Sequence, residues 1–130
     1  MPWPVSEGYI EDCERALGFK FPQSYRAEMM NQNGGAVLCD NDTWNLHPIW
    51  DKSDRKRFKR TSNDVTRETN AMANWTGWPS NGVCIAENGT GDALIFSASS
   101  SSRDKAVYRW SHETGQTKKV ANDFSDLQRA

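Results

Sequence analysis

The chain has 130 residues, 36% of them apolar, and a formal net charge of −1. That length suits one domain with one core, and six tryptophans, five phenylalanines and three tyrosines supply large areas to bury. The charge balance lacks the basic excess of a strong nucleic-acid binder, no stretch approaches the roughly 18 apolar residues of a membrane span, and the opening MPWPVSEGYIEDC is not a signal peptide. A single domain over residues 1–130 is therefore expected in the cytoplasm, with no membrane contact and no direct nucleic-acid contact.

Ser6 is placed to cap a helix through EGYIEDCERAL, where Ile10, Cys13 and Leu17 share one face and Gly18 supplies the stop. Pro22 suits the first turn of a second helix. Phe21, Tyr25 and Met29 recur at four-residue spacing along it, and Asn33-Gly34-Gly35 ends it. AVLC at 36–39 and TWNLH at 43–47 read as short strands around a polar turn. The polar middle holds a helix from about 63 to 75. GVCIA and ALIFS then read as one hairpin, AVYRW and TKKVA as another around SHETGQ, with a serine-rich connection SASSSSRD between them. NDFSDLQ reads as a final short helix.

The stretch AENGTGDALIF, residues 86–96, invites a ligand-loop reading, and its residues exclude the familiar ones. No lysine follows Gly91 as a phosphate-binding loop requires, and Leu94 stands where a dinucleotide fingerprint needs a third glycine. Asp92 with Glu87 falls far short of the oxygens that calcium takes. Asn88-Gly89 is instead a hairpin turn signal, and Asp92 is expected to bond loop amides. His112-Glu113 is followed by Gln116 where a zinc helix needs histidine, and Asp40-Asn41-Asp42 lacks the glycine of a calcium loop. Cys13, Cys39 and Cys84 are odd in number and widely spaced, which suits buried reduced thiols rather than a disulfide framework. No cofactor, metal or small-molecule ligand is expected.

Two surface features stand out. RKRFKR, residues 55–60, reads as a solvated helix face or loop balanced by Asp51, Asp54, Asp64 and Glu68, with contact to nucleic acid or an acidic partner as the competing reading. Trp44 and Trp50 lie near Asp40, Asp42 and Asp51, a candidate patch of anchors and charge for a protein partner. Burial of either tryptophan in the core is the competing reading.

In order along the chain, Leu17-Gly18, Phe21-Pro22, Tyr25 and Asn33-Gly34-Gly35 resemble an opening helix pair usually written LG…LP…Y…NGG. Trp78-Pro79, Gly82, Ala86 and Gly89-Thr90-Gly91-Asp92 resemble the same family's central hairpin. Val107-Tyr108-Arg109-Trp110 with His112-Glu113-Thr114-Gly115 resembles its last one. The series is similar to the SUKH superfamily, named partly for a yeast cell-wall synthesis regulator, over roughly residues 7–127. The resemblance implies an α+β fold, a twisted, mostly antiparallel sheet of about six strands with helices packed against it. It assigns Gly91-Asp92 an architectural role and carries no catalytic set.

The resemblance also implies a bacterial immunity protein that binds and neutralises a cognate toxin delivered by a neighbouring cell, often a nuclease. The alternative is a non-catalytic regulatory or scaffolding module of the cell-wall synthesis regulator type. Members that block nucleases are often acidic, and a net charge of −1 departs from that. An enzyme, such as a hydrolase using Asp92 and His112, would need those two side chains together beside a concave pocket.

Overall fold

Four helices and seven strands make up a computed structural model that describes residues 3–98 and 105–130. Helix α1 (Glu7–Leu17) buries Ile10 and Cys13 and stops at Gly18, whose φ of 66° takes the left-handed cap that a Cβ would strain. Ser6 leads into it with extended backbone, but its hydroxyl makes no capping bond. Helix α2 (Gln23–Asn31) turns Tyr25 and Met29 fully inward. Pro22 stands just outside this helix, at the N-cap with ψ of 145°, rather than in the first turn.

Strands β1 (Ala36–Cys39) and β2 (Asp42–Leu46) form a hairpin in which Cys39 pairs with Asp42. Its two turn residues, Asp40 and Asn41, have φ of 55° and 60°. Two successive left-handed residues match the twist of the flanking strands, and Asp and Asn tolerate them better than bulkier side chains do.

The polar middle forms α3 (Arg55–Arg60) and α4 (Val65–Met72); α4 falls within the helix expected over about 63–75, and α3 precedes it. Each has its own cap: Asp54 accepts from Arg57 N at 2.8 Å, and Asp64 accepts from Arg67 N at 3.0 Å. The run RKRFKR is thus a helix, and none of its residues is buried.

Strand β3 (Gly82–Glu87) pairs with β2 only at Asn45–Glu87 and Leu46–Ala86. Beyond that point α4 lies along β3, and Cys84 N donates to the Thr69 hydroxyl at 2.9 Å instead of to a strand. Strands β4 (Ala93–Ser97), β5 (Val107–Trp110) and β6 (Thr117–Ala121) complete two antiparallel hairpins. Ser97 closes β4, and most of the expected serine-rich connection lies outside the described residues. The expected final helix is a single 3₁₀ turn at Phe124–Asp126. After it β7 (Gln128–Arg129) pairs antiparallel with β1, so the sheet has seven strands in the order β6-β5-β4-β3-β2-β1-β7. The fold is α+β, with helices against a curled antiparallel sheet.

The main core gathers Ile10, Phe21, Tyr25, Met29, Val83, Ile85 and Phe96 with Phe124. Tyr25 meets the edges or faces of Phe96 and Phe124 at centroid distances of 5.2 and 5.1 Å. Strand alternation sends Cys84 and Ile95 to a second cluster with Trp110 and Trp78. All three cysteines are buried and free. Burial pushes Cys84 up to about 12 and Cys13 up to about 11, far from a reactive thiolate.

Candidate interaction surface

The Asn33-Gly34-Gly35 segment braces the chain that follows β2 rather than simply closing α2, which ends at Asn31. Asn33 is buried; its amide nitrogen donates to Ile49 O at 2.8 Å and its oxygen accepts from Ile49 N at 2.7 Å. Gly34 and Gly35 have φ of 112° and 86°, and a Cβ on Gly35 would sit 2.6 Å from Gln32 Nε2. Arg129 on β7 donates to Gly34 O and Gln32 O, tying the chain's last strand to this turn.

A five-residue loop, 88–92, joins β3 to β4 between the paired Glu87 and Ala93. Only Gly89 and Gly91 within it have positive φ, so the expected two-residue Asn-Gly turn is a longer loop. Asn88 closes it with its side chain, accepting from Thr90 N and Thr90 Oγ1. A Cβ on Gly91 would lie 3.0 Å from the His112 ring.

Among the described residues, Asp92 bonds one loop amide, that of His112 in the β5–β6 connection, and none of its own 88–92 loop. Its Oδ1 accepts from His112 N at 3.0 Å and lies 2.6 Å from His112 Nδ1. Its Oδ2 accepts from Arg109 Nε and Nη2 at 3.1 and 2.8 Å. Arg109 Nη1 goes on to Asp40 at 3.1 Å, and its guanidinium lies 5.1 Å from the Trp44 ring centroid. Burial pushes the Asp92 carboxyl up, but the His112 and Arg109 hydrogen bonds and the Arg109 charge outweigh it, so its pKa lies below the usual range. Asp92 and His112 are therefore close, yet both carboxylate oxygens are occupied by structural donors. Neither residue lines the principal cavities.

On the surface, Trp50 and Phe58 pack together at 5.0 Å and 44°, and Trp50 Nε1 donates to Phe58 O at 3.3 Å. They remain 37% and 44% exposed, unusual for rings of this size. Lys52 Nζ lies 5.2 Å from the Trp50 centroid, while Lys56, Arg57 and Arg60 surround Trp3 at 5.0 to 5.7 Å. Arg57 pairs with Asp54 at 2.8 Å. Arg55, Lys56, Lys59 and Arg60 have no carboxylate within 4.0 Å among the described residues. A groove of about 560 Å³ opens beside this platform, its lining including Asp12, Cys13, Trp50, Lys52, Asp64 and Arg67. Its size is that of an ordinary ligand-sized cleft.

The sequence matches the model of the SMI1 / KNR4 family (SUKH-1) over residues 4–129. The chain belongs to that family. No curated protein matches it. SUKH-1 members are generally non-catalytic, and the family is associated with protein–protein interaction. Among the described residues, no helix is long and apolar enough to cross a membrane.

In this SUKH-1 chain the expected partner patch is dispersed. Trp44 is fully buried, its Nε1 bound to Cys39 O at 3.1 Å and its ring under Arg109, so it is a core residue with no surface to offer. Asp51 is 3% exposed; its carboxylate accepts from Ser53 N and its amide donates to the Thr61 hydroxyl. Asp40 and Asp42 are exposed at the β1–β2 turn, where Asp40 is held by Arg109 and Lys118. Trp50 lies past the other end of β2 and joins α3 instead. Missed from the sequence were Phe58, Lys52 and Trp3; the available signal was a single aromatic set inside a run of cations.

Proposed function

We propose that this SUKH-1 chain is a non-catalytic immunity protein that binds and neutralises a cognate protein toxin. The observation that carries this reading is the exposed Trp50–Phe58 pair, with Lys52 over Trp50 and Phe58 set in the cationic helix α3, since aromatic residues and arginine are enriched at protein interfaces. A standard interface takes about 800 Å² from each partner, which is about a tenth of this chain's 7275 Å² of accessible surface. The net charge of −1 argues against mimicry of a nucleic acid as the means of neutralisation. The family match and the Asp92–His112 pair, whose carboxylate is taken up by Arg109 and the His112 amide and which lines none of the principal cavities, support a binding role over a catalytic one.

The test is co-expression with the toxin encoded beside its gene. Growth should be rescued, and the two purified proteins should co-elute as a complex. Neither rescue nor complex would replace this reading with the regulatory or scaffolding module.

A further inference from the structure

Resting on the protein-binding reading above, we propose that α3 with Trp50 and Phe58 receives an acidic segment of the partner. Carboxylates would meet the cations, and an apolar side chain would meet the aromatic pair. Residues 52–60 hold six cations, Lys52, Arg55, Lys56, Arg57, Lys59 and Arg60, against one carboxylate, Asp54. Asp54 is already engaged as the helix cap and by Arg57. Arg57 also faces Asp51 and Lys52 faces Asp12, which leaves Arg55, Lys56, Lys59 and Arg60 as the patch's cations without a carboxylate partner among the described residues.

Arg57 pairs with Asp54, and Lys56, Arg57 and Arg60 pack over Trp3, but Arg55 and Lys59 have no ion pair or ring contact among the described residues. Arg55 and Lys59 stand four apart on α3, a spacing at which like charges repel and destabilise a helix. No residue of α3 is buried, so core packing does not require the helix either. An acidic partner would remove the repulsion on binding, and steering would speed its approach.

A polyanion such as single-stranded RNA also seeks cations and aromatic rings. Here the ring faces are already covered, Trp50 by Lys52 and Trp3 by Lys56, Arg57 and Arg60. Stacked bases would have to displace those cations. The adjoining groove also carries Asp12 and Asp64, which repel a continuous phosphate chain. A peptide can space its few carboxylates away from Asp12 and Asp64, and one apolar side chain can pack on the exposed Phe58 ring, over which no cation lies among the described residues.

The test uses the full chain and two probes, a fluorescein-labelled Glu-rich peptide of about fifteen residues with one central leucine, and a single-stranded RNA of about that length. Anisotropy is read at about 50 and 300 mM salt, where screening differs strongly. The peptide should bind more tightly than the RNA and weaken about tenfold at the higher salt. Arg55→Glu/Lys59→Glu should cost a further tenfold or more, with circular dichroism and Tm checking that the fold is kept. Arg55→Gln/Lys59→Gln serves if the reversal does not fold. No peptide binding, equal binding by the variant, or tighter RNA binding would each overturn the proposal. The adjacent-gene toxin is then titrated against wild type and variant. A roughly tenfold loss supports the surface, and equal affinity overturns it while leaving the immunity reading intact. No toxin binding by wild type, with the peptide arm positive, removes the immunity reading and keeps the acidic-segment site.

Discussion

Arg109 grips Asp92 with two donors, Nε at 3.1 Å and Nη2 at 2.8 Å, and its third nitrogen reaches Asp40 in another hairpin. One planar side chain thus ties β5, the β3–β4 loop and the β1–β2 turn together. A lysine could not do this, because its single ammonium lacks the fork.

Asp92→Asn should cost about 1–3 kcal/mol, since it removes the charge from a part-buried pair while leaving Arg109 in place. The Asp92 pKa is lowered in the fold, so its contribution is present above the unfolded value near 3.9 and is lost as pH falls through the folded value. Urea melts of wild type and variant should differ at pH 6, and the difference should shrink as pH falls below the unfolded value near 3.9. Partner affinity of the folded variant should be largely unchanged. Its loss in a fully folded protein would return the 88–92 loop to the binding surface.

Asn33→Ala leaves the amide and carbonyl of Ile49 without the partners they now have at 2.7 and 2.8 Å. Each unmet buried group costs about 1–3 kcal/mol, so a loss of about 2–4 kcal/mol is expected in denaturant melts. The Ile49 amide should lose its hydrogen-exchange protection ahead of the core strands. Protection equal to wild type would show that Asn33 does not hold the segment leading to Trp50.

Tyr25→Phe should be neutral or stabilising by up to about 1 kcal/mol. The ring is fully buried against Phe96 and Phe124, but the hydroxyl has no hydrogen-bond partner among the described residues. Burial pushes its pKa well above the usual tyrosine value, so ionisation gives no compensating role at neutral pH. A Tm that drops in the phenylalanine variant would reveal a partner for the oxygen.

His47 predicts a second pH effect. Burial lowers its pKa, only partly opposed by Glu68, Glu87 and Asp64. The fold therefore favours the neutral ring, and its contribution is full above the unfolded value near 6.5 and lost as pH falls through the lower folded value. Stability should decline from about pH 7 toward pH 5, and His47→Gln should flatten that slope. An unchanged slope would assign the decline to the carboxylates.

The local elements were legible because their signals are local. Gly18 stops α1, the apolar spacing of α2 and the hairpins at β3–β4 and β5–β6 lie where periodicity and turn residues put them. The helix expected over about 63–75 is α4, whereas 55–60 stayed open between helix face and loop because its cap, Asp54, reads equally well as charge balance. β7 was missed because two residues, Gln128 and Arg129, carry no pattern; only the free edge of β1 makes them a strand.

By itself the sequence determined the α+β class, the family and most element positions, since these depend on side-chain spacing within a few residues. The tertiary structure alone decided which tryptophan is core and which is surface. Trp44 lies inside the curl of the sheet under Arg109, and Trp50 lies past the point where β2 leaves it. It also decided that Asp92 serves a guanidinium seventeen residues on rather than its own loop. Both outcomes depend on strands brought together from distant parts of the chain, and burial there follows from the curvature of the whole sheet, which no local pattern encodes.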